Sequence, residues 1–118
     1  MKIYVYSKCS TCKEALRFLK KQELKVTVVE ITETPPSLDE LQTMLHYQKN
    51  NLKKLFNTSG SLYRELQLAS KLEQLTVLQA LTLLSKHGML VKRPFLIGEN
   101  FGLLGFNEAE WSKLNSKH

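Results

Sequence analysis

The chain has 118 residues, 42% hydrophobic and 24% charged, with a formal charge of +6 and only two cysteines. That composition excludes a disulfide-stapled scaffold and a disordered chain, and the length suits one domain that buries its own core. No apolar run approaches the roughly 18 residues of a membrane span, and "MKIYVYSKC" is too short and polar for a signal peptide, so cytoplasm is the expected compartment and no membrane partner is expected.

In chain order, "KIYVY" (2–6) is rich in β-formers and predicts a strand. Residues 11–22 place Ala15, Leu16, Phe18 and Leu19 on one side of a helix. "KVTVVEI" (25–31) predicts a second strand, and a helix between two strands implies a right-handed βαβ unit with parallel strands. "TPPS" then breaks the chain, and Ser37 with Glu40 forms a capping box that opens a helix to about Tyr47. Short helical pieces follow near 51–56 and 61–67, with Thr58 and Ser59 placed either to cap the second or to bind an anion. Thr76 with Gln79 is a second capping box, and its helix stops at Gly88. "RPFLI" (93–97) and "FGLLGF" (101–106), joined by "GEN", predict an antiparallel hairpin. Asn107 with Glu110 caps a last helix carrying Trp111 and Leu114.

The order is β-α-β, a helical insertion, then β-β-α. This α/β pattern is the thioredoxin-like (glutaredoxin-like) arrangement. The expected organisation is a single domain over 1–118, its core drawn from 1–33 and 88–118 and its insertion between strands 2 and 3 from 34–87.

Both cysteines fall in "YSKCSTCKEALRFL", Cys9 in the loop after the first strand and Cys12 in the first helical turn. A close cysteine pair in a reducing compartment is more often catalytic or metal-binding than structural. The exposed amides at a helix start stabilise a thiolate at Cys9, and Lys8 and Lys13 add positive charge. Three residues of helix keep the two sulfurs within disulfide reach, so Cys12 can resolve an intermediate formed on Cys9. Two inert buried cysteines are the first competing account, but the lysine-flanked setting is unlike a core. Zinc is the second, but His46, His87 and His118 supply no spaced second pair, so no metal is expected. The flanking Lys8, Ser10 and Thr11 are candidate substrate contacts.

Two further segments carry candidates. In "LVKRPF", Arg93 can hold an anion against Cys9 through its planar fork, or simply lie at the surface before an edge strand. In "NTSGSLYREL", Thr58, Ser59 and Arg64 are candidate anion contacts, with a solvated or ion-paired helix face as the plain reading of Arg64. The remaining lysines are scattered, as on solvated helix faces, and no Lys/Arg cluster interleaves with aromatics, so direct nucleic-acid binding is not expected.

Taken together, "YSKCSTCKEALRFL", "LFNTSGSLYREL", "LVKRPFLI" and "LLGFNEAEW" resemble, in order and spacing, the arsenate reductase-like (ArsC/Spx/YffB) family of thioredoxin-fold proteins. The resemblance implies a thiol-dependent reductase with its catalytic cysteine at Cys9. It places an oxyanion-binding arginine at Arg93 before a cis-proline at Pro94. No bound cofactor is implied, and glutathione, glutaredoxin or thioredoxin is the implied reductant of a small oxyanion or disulfide substrate. Arsenate reductases of the family that use glutaredoxin carry two more arginines, where this chain has Asn57 and, nearby, Gly105. The CxxC pair is similar to that of Spx-type redox-sensing regulators, which bind the RNA polymerase α subunit through a contact involving a glycine that matches Asn51 here.

Overall fold

The computed structural model describes residues 1–117; His118, weighed above as a metal ligand, lies outside them. Four strands, β1 (Lys2–Val5), β2 (Thr27–Glu30), β3 (Phe95–Ile97) and β4 (Gly102–Leu104), form one sheet in the order β2-β1-β3-β4. β1 and β2 are parallel, while β1–β3 and β3–β4 are antiparallel, as the thioredoxin-like order requires. β3 starts two residues later than the sequence predicts, because Pro94 has no N–H to give the ladder. β4 ends before Gly105, whose φ of +71° leaves the extended region that glycine alone leaves without cost.

The period-two alternation of β1 builds two cores. Ile3 and Val5 face one side with Leu96; Tyr4 faces the other with Phe95. The first side is covered by helix α1 (Ser10–Lys21), whose buried Cys12, Ala15, Phe18 and Leu19 recur every three or four residues, and by α6 (Glu108–Trp111) through Trp111. Burying Phe18 or Leu19 stabilises the fold by about 1.5–3 kcal/mol each. Lys20 and Lys21 in the last turn of α1 complement its dipole. Asn107 accepts a hydrogen bond from the Glu110 N–H at 3.0 Å and starts α6, which continues as a 3₁₀ segment, Ser112–Lys117.

The opposite side is covered by the insertion. It comprises α2 (Leu38–Tyr47), a 3₁₀ turn at Leu52–Leu55, α3 (Ser61–Glu65), α4 (Leu68–Lys71), a 3₁₀ turn at Leu72–Gln74 and α5 (Val77–Lys86). Both predicted capping boxes form, Ser37 with Glu40 and Thr76 with Gln79, each contributing about 1 kcal/mol. Thr58 and Ser59 do not cap α3: Gly60 is its N-cap residue, with no side-chain cap bond, and both hydroxyl residues are exposed. The stop after α5 also has a different cause from the one its sequence implies. His87 is the cap residue, and Gly88 opens a further 3₁₀ turn, Gly88–Leu90, against the carbonyl of Ile31. Among the described residues no helix is long and apolar enough to cross a membrane.

Glu40 ties the insertion to the sheet. Its carboxylate accepts from the Tyr4 hydroxyl at 2.6 Å, the Lys2 ammonium at 3.0 Å and the Ser37 N–H at 3.0 Å. Desolvation pushes its pKa up, but the hydrogen bonds from Tyr4, Ser37 and Lys2 outweigh it and hold the carboxyl below its usual range. A depressed carboxylate stabilises the fold above its unfolded pKa, and that contribution is lost as pH falls through the folded value. Glu40→Ala should therefore cost about 2 kcal/mol at neutral pH, combining the lost cap with the lost tyrosine bond. Urea unfolding of the variant and wild type should converge as the solution is acidified to about pH 4 or below; an equal gap at both pH values would contradict this.

Candidate active site

β1, β3 and β4 bring the C-terminal end of β1, the start of β3 and the end of β4 to one edge of the molecule. Cys9, Arg93–Pro94 and Gly105 sit there. Cys9 is the N-cap residue of α1, in extended backbone (φ −93°, ψ 119°), and Cys12 lies in the first turn. Its own N–H bonds the Tyr6 carbonyl at 3.0 Å, closing the turn that aims it at the helix start. α1 has no acidic residue in its first turn, so its positive end meets the sulfur unneutralised.

Both cysteines are free thiols in unlike surroundings, Cys9 half-buried and Cys12 buried. Desolvation raises the pKa of Cys9, yet the Cys12 backbone N–H, the Cys12 thiol and the Arg93 guanidinium together outweigh it, and the net shift is downward. The contact with the helix start is electrostatic: no well-formed side-chain cap bond is made. Cys12 moves the other way. Burial pushes it up to about 12, opposed by the Tyr6 N–H 3.5 Å from its sulfur and reinforced by the negative charge on Cys9. One thiol is therefore poised to ionise and its neighbour to stay protonated.

Arg93 follows the 3₁₀ turn Gly88–Leu90 and precedes buried Pro94 across a cis peptide bond. Its guanidinium lies 5.1 Å from the centre of the Tyr6 ring. Nη1 makes long contacts with the Met89 carbonyl at 3.5 Å and the Met89 sulfur at 3.8 Å, and the buried Nε has no partner. The arginine is thus held from the side, with its charge close enough to Cys9 to lower that thiol's pKa. The Pro94 carbonyl accepts from the Gly105 N–H at 2.9 Å, which fixes the loop to the end of β4.

The other sequence candidates are placed less closely. Lys8 and Ser10 are exposed and Thr11 is half-buried beside the pair; Thr58, Ser59 and Arg64 are exposed on the insertion. Segment 55–57 nevertheless reaches the site, since Phe56 bridges Val91 and the Asn57 N–H bonds the Leu90 carbonyl at 2.7 Å. Tyr6, Met89 and Glu30 carried no sequence signal. Glu30 accepts from the Ser7 N–H at 3.0 Å and from the Thr32 hydroxyl at 3.1 Å, so it pins the loop that leads to Cys9. Among the described residues no group of three or more His, Cys, Asp or Glu is gathered as metal ligands. A cavity of about 440 Å³ lined by Met1, Leu24, Phe101 and Leu114 lies at the opposite end of the sheet, away from both thiols.

A model of the ArsC family matches residues 4–114. The chain belongs to the ArsC family. Among relatives of this ArsC-family protein, Bacillus subtilis (strain 168) YusI is 38% identical over 110 residues, covering 93% of each chain. The structure of an ArsC family related protein from Bacteroides fragilis superposes with a TM-score of 0.90 at 39% identity, covering 96% of this chain and 95% of that one. The global transcriptional regulator Spx of Streptococcus pyogenes serotype M1 is 26% identical over 108 residues, covering 92% of this chain and 79% of Spx. Family membership and the closely spaced thiols of this ArsC-family chain support a thiol-based enzymatic role.

Proposed function

We propose that the protein is a cytoplasmic thiol–disulfide oxidoreductase in which Cys9 is the nucleophile, Cys12 the resolving thiol and Arg93 the anion clamp. The observation that carries this reading is geometric: Cys9 is the half-buried N-cap residue of α1 and Cys12 lies buried one turn on, a placement that with Arg93 nearby lowers one thiol's pKa and raises its neighbour's. The Cys9 thiolate attacks a substrate disulfide, forming a mixed disulfide and expelling one thiolate, which takes a proton from solvent. The Cys9 charge then disappears, and with it one cause of the high Cys12 pKa. Cys12 loses its proton and attacks the Cys9 sulfur, releasing the second substrate thiol and leaving a Cys9–Cys12 disulfide. Glutathione, glutaredoxin or thioredoxin returns the pair to dithiol. Lys8, Ser10, Thr11 and Pro94 border the reacting sulfur as substrate contacts, while Thr58, Ser59 and Arg64 lie further out on the insertion.

Arsenate is not the substrate in this reading, because Asn57 and Gly105 stand where family arsenate reductases carry arginines. Each missing charge-assisted contact is worth roughly 1.5–3 kcal/mol. In a panel of disulfides and oxyanions with each reductant, the wild-type protein should turn over disulfides in a Cys9-dependent manner and give arsenate reduction at background. Saturable arsenate turnover with glutathione and glutaredoxin, and none with disulfides, would refute the assignment.

The 26% identity to Spx favours one second reading, a redox-switched regulator that binds the RNA polymerase α subunit. Pulldown of purified α subunit with reduced and oxidised protein separates the two. Redox-dependent capture without disulfide turnover supports the regulator, and turnover without capture supports the enzyme.

A further inference from the structure

The lysines that are scattered along the chain do not stay scattered in the fold. Segment 55–57 runs antiparallel to 90–92: Phe56 bridges Val91, and the Lys92 N–H bonds the Leu55 carbonyl at 2.9 Å. That pairing brings Lys53 and Lys54, at the end of one turn, beside Lys92, the residue before Arg93. Gly105 makes room for the third amine: a Cβ there would lie 3.1 Å from Lys92 Cε, so the lysine stem crosses the bare glycine backbone. Lys53, Lys54 and Lys92 line an open cleft of about 390 Å³ together with Asn51, Thr58 and Glu110.

Among the described residues none of these three ammonium groups is in an ion pair, and Glu110 is the cleft's one carboxylate. Three positive charges lining one cleft give it a potential that favours an anionic ligand. The volume suits a few residues of extended peptide. Two of its lining residues tie the cleft to the Cys9 end of the sheet: Lys92 immediately precedes Arg93, and Leu104 pairs with Phe95, the partner of Tyr4.

We propose that this lysine-lined cleft selects disulfides whose cysteine is flanked by carboxylate side chains, that is, acidic peptide disulfides. The inference rests on the disulfide reductase reading and specifies its substrate. Carboxylates beside the reacting sulfur dock on Lys53, Lys54 and Lys92 while Cys9 attacks. The chemistry is unchanged: one peptide disulfide is reduced to two peptide thiols as Cys9 and Cys12 are oxidised to a disulfide.

The test measures single-turnover reduction of three symmetric peptide disulfides, Glu-Glu-Cys, Gln-Gln-Cys and Lys-Lys-Cys, by the reduced full chain. Wild type should reduce the glutamate peptide roughly five- to tenfold faster than the glutamine peptide, with the lysine peptide slowest and the preference falling in high salt. The triple variant Lys53→Gln, Lys54→Gln, Lys92→Gln should lose the preference while keeping the glutamine-peptide rate, which also reports that it is folded. A control with the same loss of charge elsewhere, Lys20→Gln, Lys21→Gln, Lys25→Gln, should keep the preference. Equal wild-type rates for the glutamate and glutamine peptides, or equal loss of preference in the control, would overturn the cleft assignment alone. A uniform fall for all three peptides in the cleft variant, with Lys92→Gln alone behaving likewise, would also overturn it. No reduction of any peptide by wild type would overturn the reductase reading and the cleft with it.

Discussion

Cys9→Ser should lower disulfide reduction by about a thousandfold or more, to the uncatalysed rate, because a serine hydroxyl neither ionises near neutral pH nor forms a disulfide. The pH dependence should identify the same sulfur. Cys9 is shifted downward, so its thiolate is present from below the ordinary thiol range, and reactivity should rise with pH through that lowered value and then level off. Cys12, pushed up to about 12, should contribute nothing to this rise. Arg93→Ala removes a donor and a positive charge from the Cys9 thiolate, so the midpoint should move up and the rate at neutral pH should fall. Stopped-flow reaction with a neutral chromogenic disulfide across the pH range measures all three. A Cys9→Ser protein with wild-type kinetics, or an Arg93→Ala midpoint that stays put or falls, would contradict the assignment.

The largest effect on stability is expected at Gly88, which opens the turn that packs against the end of β2. A Cβ on Gly88 would run into the carbonyl oxygen of Ile31 and lie 3.0 Å from its carbonyl carbon and 3.2 Å from its Cγ1. Ile31 cannot yield easily, since its N–H bonds the Val5 carbonyl at 2.8 Å and its side chain is fully buried. Relief must come from separating the 3₁₀ turn at Gly88–Leu90 from the end of β2, which disturbs buried Leu90 and Val91. Gly88→Ala should cost about 3 kcal/mol and lower the melting temperature by roughly 10 °C. Calorimetry of the two proteins measures it. A change within about 0.5 kcal/mol would mean that the turn has slack against β2.

The framework of the fold was legible because its signals are local. The three N-caps, the alternation in "KIYVY" and the helical stripe through Ala15, Phe18 and Leu19 each lie within a few residues, and each has the structure expected of it. The stretch 58–75 was harder. Thr58 and Ser59 carry capping chemistry, but the chain turns at Asn57–Gly60 and starts α3 from glycine. Gln67, with φ of +55°, then separates α3 from α4, a left-handed residue that nothing in its side chain advertises.

The candidate site divides in the same way. Cys9 and Cys12 announce themselves by spacing and by the helix that follows. The contact of Arg93 with Tyr6 depends on β1 and β3 being neighbours in the sheet, while its contacts with Met89 come from the turn just before it. The meeting of Lys53 and Lys54 with Lys92 depends on a single bridge between residues 35 apart in sequence. Periodicity carries no record of such pairings, so scattered lysines are read as solvated faces until the topology gathers them.

The sulfur on which the intermediate forms decides the roles of the two thiols. With Cys12→Ser, the second step is blocked, so reaction with a neutral peptide disulfide should stop at a mixed disulfide. Non-reducing mass spectrometry after acid quenching should find one peptide on Cys9 and one equivalent of released thiol, whereas wild type should release two and finish as an internal disulfide. Peptide retained on Cys12 in a Cys9→Ser protein at the same rate, or full release of both thiols by Cys12→Ser, would contradict the account.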